Sequence, residues 1–476
     1  MKTRILSMTV ILLLCAQAID AKVKLPGIID SGMVLQRNTE TSLWGTAAAG
    51  RRVRIKTSWD RRTICVQVEA DGKWKTSIST PDAGGPYTIE FNDGDKTVIN
   101  NVMIGDVWFC SGQSNMEMPM KGFSTQPVEG AAEAIASADP DTPIRICQVS
   151  RKTSLVPQEA CQATWRVNAP EHVANASATA YYFAKKIQEV TGVPVGIIVS
   201  SWGGTPIQAW MDKKTLEKFP EFDLTFIEYG QMPEKAQNAP TTLFNAMVAP
   251  LTGFSVKGFL WYQGEANRTK ASLYRKLQPA YVKMMRDYWG NSDLPFYYVQ
   301  IAPYAYEGKD KTTAAELREA QMLNLGDIPN SGMAVTMDIG DEFCIHPAKK
   351  KEVGTRLAYM ALTRDYNLKG IDSFAPIYES WQTENGRIIV RFKVGSQGLA
   401  PLGQTLEGFE VAGPDRVFHP AVAKVLRDKG GKTIEVICNE ETEPAAVRYG
   451  FRNVAGASLY NCFGIPASPF RTDDWE

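Results

Sequence analysis

Between residues 102 and 372 the chain alternates short apolar runs with long stretches of helical spacing, and that alternation admits few architectures. The runs are Val107–Cys110, Ile144–Val149, Val195–Ser200, Gly258–Tyr262, Phe296–Gln300 and Met333–Met337. Continuous apolar runs of this length suit strands buried on both faces. Between them, Ala176–Thr191 and Tyr274–Trp289 carry apolar residues at helical spacing. The expected fold class is therefore α/β, a parallel sheet wrapped in helices.

The flanks have a different texture. From Lys22 to Asn100, segments such as Thr41–Gly45 and the alternating Arg52-Val53-Arg54-Ile55-Lys56 are broken by Gly and Asp, which predicts a β-rich, sandwich-like domain. Strand-like segments return after Ser373, as in Arg387–Phe392 and Thr433–Ile437. The chain has 476 residues, and at roughly 150 residues per domain it should hold two to four domains. The expected units are residues 22–100, 101–372 and 373–476, preceded by a leader at 1–21. In that leader, Met1-Lys2-Thr3-Arg4 precedes the apolar stretch Ile5–Ala16, the pattern of a secretory signal, with cleavage after Ala18 or Ala21. Leu14 stands before Cys15 where a lipoprotein would carry a small residue, so simple export to the periplasm or medium is expected over lipid anchoring.

Lys+Arg and Asp+Glu are equal at 52 each, so no overall field attracts nucleic acid or an anionic membrane. Eight cysteines become seven once the leader is removed, at wide spacings with no Cys-x-x-Cys, and the chain has three histidines. A zinc site has little to build from, and no metal or organic cofactor is expected.

One apolar run ends unusually. Gly105-Asp106-Val107-Trp108-Phe109-Cys110-Ser111-Gly112-Gln113-Ser114-Asn115-Met116 is a strand that breaks at glycine and presents Ser114. Parallel sheets bind ligands at the carboxyl ends of their strands, which makes Ser114 a candidate nucleophile. It does not lie in the nucleophile elbow of α/β-hydrolases, because Met116 stands where that motif needs Gly. A serine needs a base. His172 precedes a helix and His419 lies in the late β-rich region, whereas His346 follows the last candidate strand of the α/β region, where a base carried by the sheet belongs. Two further runs end in polar, glycine-containing turns, Ser200-Ser201-Trp202-Gly203-Gly204-Thr205-Pro206 and Trp261-Tyr262-Gln263-Gly264-Glu265-Ala266-Asn267. Acyl transfer needs preorganised donors for the oxyanion. Ser114, Gly203 or Gly204 can supply a backbone N–H there, and Gln263 or Asn267 a side-chain amide.

These segments, with Trp202–Trp210, Trp261-Tyr262-Gln263-Gly264-Glu265 and Ile345-His346-Pro347, resemble the sialate O-acetylesterase family of SGNH-type hydrolases. Met33-Val34-Leu35-Gln36-Arg37 and Pro466–Asp473 extend the resemblance over nearly the whole mature chain. It implies an SGNH-type three-layer fold, Ser114 as nucleophile, His346 as base, and Gly203 or Gly204 with Gln263 near the oxyanion. The third triad member departs from the pattern. An aspartate often stands three residues before the histidine, but here Phe343 does, followed by Cys344. Asp341 and Glu342 are the first substitutes, Asp338 is close by, and a backbone carbonyl orienting a Ser-His dyad is the other possibility. Gln113, Asn115, Glu265 and Asn267 are candidate substrate contacts, Glu265 alternatively pairing with an arginine. Trp108, Trp202, Trp210 and Trp261 lie near these segments and suit either sugar stacking or core packing.

The expected function is removal of O-acetyl groups from sialic acids through an acetyl-enzyme, on free or glycan-linked sugar. An acetylesterase for acetylated xylan or other plant glycans uses the same apparatus. A non-catalytic carbohydrate-binding protein is the rival from another class. A glycosidase needs two facing carboxylates, and only Glu265 is nominated.

Overall fold

The computed structural model describes residues 22–384, 387–427, 430–441 and 443–475; the expected leader at 1–21 lies outside them. Its centre is a mostly parallel sheet. In spatial order the strands are Ser331–Ala334, Phe296–Val299, Gly258–Tyr262, Lys96–Gly112, Val195–Ser201 and Ile144–Val149, with Ala163–Val167 added antiparallel at the edge.

The Lys96–Gly112 strand shows why its run is continuously apolar. Val107 and Phe109 belong to one core with Trp261, Tyr274, Leu277 and Tyr281, while Trp108 and Cys110 belong to a second with Tyr181, Phe183, Val353 and Leu357. Successive side chains point to opposite faces, so both must be apolar when helices cover both. Helices Ala271–Trp289 and Thr313–Asp327 pack together on the first face, Ala178–Thr191 and Lys350–Asp365 on the second. The Ala178–Thr191 helix starts where Ser177 accepts a hydrogen bond from the Ala180 N–H, and it stops at Gly192, whose φ is +70°.

The β-rich amino-terminal part is continuous with this sheet. The first half of Lys96–Gly112 pairs antiparallel with Gly84–Asn92 and parallel with Val34–Gln36; the second half pairs with Val195–Ser201 and Gly258–Tyr262. Residue 100 thus falls inside a strand. Where the strand passes from one sheet to the other, Gly105 lets the backbone approach so closely that a Cβ would lie 2.0 Å from the Pro194 carbonyl oxygen. The next residue, Asp106, is fully buried. Its carboxylate accepts two bonds from the Arg37 guanidinium at 3.1 Å and one from Gln36 Nε2 at 3.0 Å. Gln36 Oε1 in turn accepts the Val107 N–H at 2.9 Å.

The carboxyl-terminal part is an antiparallel sheet in the order Ile377–Glu384, Arg387–Lys393, Thr433–Ile437, Phe418–Val425, Leu406–Ala412, Ala446–Tyr449 and Phe470–Arg471. Its own core holds Val390, Phe392, Phe409, Tyr449 and Phe470. It grips the Thr313–Asp327 helix, since the buried Arg318 donates to the Arg452 and Asn453 carbonyls and Asn453 Oδ1 accepts the Ala314 N–H at 2.8 Å. All seven described cysteines are free thiols, Cys110 and Cys147 buried.

Removing one partner of a buried ion pair leaves the other charge unpaired. Asp106→Ala is therefore expected to lower stability by about 3 kcal/mol, and Asp82→Ala, whose carboxylate also meets Arg37 but is 80% exposed, by under about 1 kcal/mol. Urea midpoints of the two variants measured side by side check the difference.

Candidate active site

Ser114 is delivered to the carboxyl edge of the sheet by a strand end stitched to both neighbours. Gly112 has φ +140°, and a Cβ there would lie 2.1 Å from the Tyr262 carbonyl oxygen. The Gln113 N–H donates to that same carbonyl at 3.0 Å, and the Trp202 N–H donates to the Gly112 carbonyl at 3.1 Å. Ser114 then opens the one-turn helix Ser114–Glu117. The turn is held from behind, where Ser177 Oγ donates to the Met116 carbonyl at 2.6 Å and Thr179 Oγ1 to the Asn115 carbonyl at 3.2 Å.

Asn115 ties three segments together. Its Nδ2 donates to Glu265 Oε1 at 2.6 Å and to the Ile345 carbonyl at 3.1 Å, while its Oδ1 accepts from Lys350 Nζ at 2.5 Å. Only one orientation of the amide satisfies a carboxylate, a carbonyl and an ammonium together. The hub is buried: Asn115 is 1% exposed, Glu265 3% and Lys350 0%. Burial pushes the Glu265 carboxyl above its ordinary value, with Asn115 and Lys350 opposing. Burial lowers the Lys350 ammonium to about 7, Glu265 working against the shift. The bond to Ile345 places His346, the next residue, beside the nucleophile segment.

His346 Nδ1 meets Gln126 Oε1 at 2.6 Å. An amide oxygen can only accept, so Nδ1 carries the proton and Nε2 keeps its lone pair. Burial, then the nearby Lys350 charge, lower the imidazole to about 4. It is therefore neutral across the physiological range, the state a general base needs. Phe123 packs edge-on against the ring at 5.2 Å.

Among the described residues no acid reaches this imidazole. Asp338 is bidentate to Arg356, at 2.8 and 2.5 Å. Asp341 Oδ1 accepts the N–H groups of Phe343 at 2.7 Å and Cys344 at 3.1 Å, shaping the loop. Glu342 contributes its backbone carbonyl, which accepts the Ala305 N–H at 3.3 Å, and Phe343 is 88% exposed. No hydrogen bond joins Ser114 Oγ to His346 among the described residues.

The predicted oxyanion donors divide. Gly203 packs against Ser114, its ideal Cβ position 3.2 Å from Ser114 Cβ, but its N–H donates to Glu117 Oε2 at 2.5 Å. The N–H groups of Ser114 and Gly204 have no acceptor among the described residues. Gln263 is fully buried, and its Nε2 donates inward to Gln113 Oε1 at 3.2 Å, the Thr205 carbonyl at 3.2 Å and Asn267 Oδ1 at 2.8 Å. Gln113, Gln263 and Asn267 form a braced floor, completed by the Ile207 N–H donating to Asn267 Oδ1 at 2.9 Å. Trp108, Trp210 and Trp261 are buried in the core, leaving Trp202 half-exposed.

Sequence reasoning missed Gln126, Lys350 and Glu117. Gln126 lies in an irregular loop twelve residues after Ser114 and carries no motif. Lys350 stands four residues beyond His346, at the head of a helix where a lysine is ordinarily solvated.

A serine at the carboxyl edge of a parallel sheet, on a turn bonded to the segment that carries a neutral imidazole held in one tautomer, has the parts that serine hydrolases use. The family model for carbohydrate esterases described as sialic acid-specific acetylesterases matches residues 104–363. The chain belongs to that family. It is 27% identical over 389 residues to the sialate O-acetylesterase of Homo sapiens, covering 74% of this chain and 72% of the relative. The mouse sialate O-acetylesterase is 26% identical over 408 residues, covering 73% of this chain and 74% of that protein. A crystal structure of a carbohydrate acetylesterase from Xanthomonas citri superposes with a TM-score of 0.86 at 33% identity, covering 95% of this chain and 100% of that one.

The contact between His346 and Gln126 carries its own test. Gln126→Leu is expected to lower kcat for acetyl-ester hydrolysis roughly 10-fold to 10²-fold. Gln126→Glu sets a carboxylate on Nδ1, which favours the imidazolium and raises its pKa above about 4. With His346 as the expected base, activity needs the neutral ring, so the acid limb of kcat/KM should move to higher pH in Gln126→Glu, as pH–rate profiles will show.

Proposed function

We propose that this protein is a serine esterase of SGNH type that removes O-acetyl groups from sialic acids. The observation that supports the reading is the bond from the side chain of Asn115, the neighbour of Ser114, to the carbonyl of Ile345, the neighbour of His346, at 3.1 Å. Family membership and the sialate O-acetylesterase relatives supply the substrate class.

His346 Nε2 takes the Ser114 proton as Oγ attacks the acetyl carbonyl. The oxyanion forms beside the unpaired N–H groups of Ser114 and Gly204, and Gly203 joins them when Glu117 releases its N–H. Protonated His346 gives its proton to the departing sugar hydroxyl, leaving acetyl-Ser114. Water deprotonated by the same nitrogen then attacks the acyl carbon, and acetate leaves as the proton returns to Ser114. Gln126, in place of an acid, holds the Nδ1–H and so the tautomer. Asp341 shapes the histidine loop, while Gln113, Gln263, Glu265 and Asn267 support the site from beneath.

One observation favours a second reading. The Xanthomonas citri protein is more similar to this chain, at 33% identity, than the sialate O-acetylesterases at 27%, and its description specifies only a carbohydrate. For this second reading we take an acetylated plant glycan such as xylan as the substrate. Among the described residues no helix is long and apolar enough to cross a membrane; export is part of this proposal and rests on the sequence of residues 1–21.

Acetate release from an O-acetylated sialic acid and from acetylated xylo-oligosaccharide, measured with native protein and Ser114→Ala, tests the assignment. Release from the sialic acid that falls by about 10⁴-fold or more in the variant, with an unchanged thermal melt, is the expected result. Undiminished release by Ser114→Ala would remove Ser114 from the mechanism, and release from the xylo-oligosaccharide alone would select the second reading.

A further inference from the structure

We propose that Arg151 recognises the carboxylate of an acidic acetylated sugar bound in this site, an inference that rests on the sialic acid reading. Its placement comes from the sheet. Ser114 follows the Lys96–Gly112 strand, Trp202 and Gly203 follow Val195–Ser201, and Arg151 follows Ile144–Val149. These strands are consecutive and parallel, so Arg151 stands two strand spacings, roughly 10 Å, from the nucleophile along the same edge. A sugar whose ester carbonyl sits at Ser114 extends across Trp202 toward the guanidinium.

The guanidinium is fixed on one side and open on the other. It lies over the Trp202 ring, 5.7 Å from the centroid, and one Nη donates to Glu117 Oε1. The other Glu117 oxygen accepts the Gly203 N–H at 2.5 Å, so this pair is anchored directly beside Ser114. The Glu117 side chain is 15% exposed and that of Arg151 49%. A guanidinium offers five N–H donors in a rigid plane, and the rest have no acceptor among the described residues. A preoriented fork with an open edge suits bidentate binding of a carboxylate. A sialic acid carries such a group, and a neutral xylan unit does not. Glu117 screens part of the charge, which leaves recognition to the directed N–H bonds.

The test compares acetate release from an O-acetylated sialic acid and from its carboxyl methyl ester, which keeps the acetyl group and loses the charge. Native protein should favour the free acid by about tenfold or more in kcat/KM, mainly through KM. Arg151→Met should erase that preference and Arg151→Lys should retain part of it. A native protein that treats both compounds alike, or an Arg151→Met variant that lowers both by the same factor, would overturn the proposal and leave Arg151 as a tether for Glu117. In either case release from the sialic acid still stands. If native protein releases acetate from neither compound but does so from acetylated xylo-oligosaccharide, the sialic acid reading itself fails, and this proposal fails with it.

Discussion

The side chain of Asn115 is the constraint on which the site depends. One buried amide, next to Ser114 in sequence, satisfies Glu265, Lys350 and the Ile345 carbonyl at once. Those partners come from the end of one strand, the head of a helix and the histidine loop, and lie up to 235 residues from Asn115 in the chain. Lose the amide, and a buried carboxylate and a buried ammonium face each other without their mediator, a costly state in a low-dielectric interior. The bond to Ile345 also ties the Ser114 turn to the segment that carries His346. Fold stability and the proposed catalytic geometry therefore share one residue.

The electrostatics around the imidazole follow from that arrangement. Lys350 lies close enough to oppose a second positive charge on His346, and Gln126 brings an oxygen without a full negative charge. Burial and the Lys350 charge keep the ring neutral, and the amide oxygen fixes its tautomer. A carboxylate at the same place would make a stronger base and stabilise the imidazolium better, but it would also protonate the ring at higher pH. The structure thus gives up basicity for an imidazole that stays neutral to low pH. An amide in the orienting position also avoids the desolvation of another charge.

Much of this was legible in the sequence, for identifiable reasons. The continuous apolar runs reported a sheet covered on both faces, because Val107 and Phe109 face one helix pair and Trp108 and Cys110 the other. The break at Gly112 pointed to Ser114, since a Cβ there would collide with Tyr262. Local pattern could not show Gln126, a loop residue brought to His346 by tertiary folding alone. Nor could it show that Lys350 is buried, because charge at a helix start usually means solvent. The strand crossing residue 100 was hidden for another reason: its first half alternates and its second half does not, so one element carries two textures. Gln263 has the residue type an oxyanion site wants, but its donors are spent on the floor beneath.

The most direct test of the account is to trap the covalent intermediate. Native protein turning over an acetyl ester, quenched in acid and digested, should yield an acetylated peptide carrying Ser114, with the label lost on a chase without substrate. Acetyl label on another residue, or steady turnover with no labelled peptide at any quench time, would contradict the assignment of Ser114 as nucleophile and the geometry built around it.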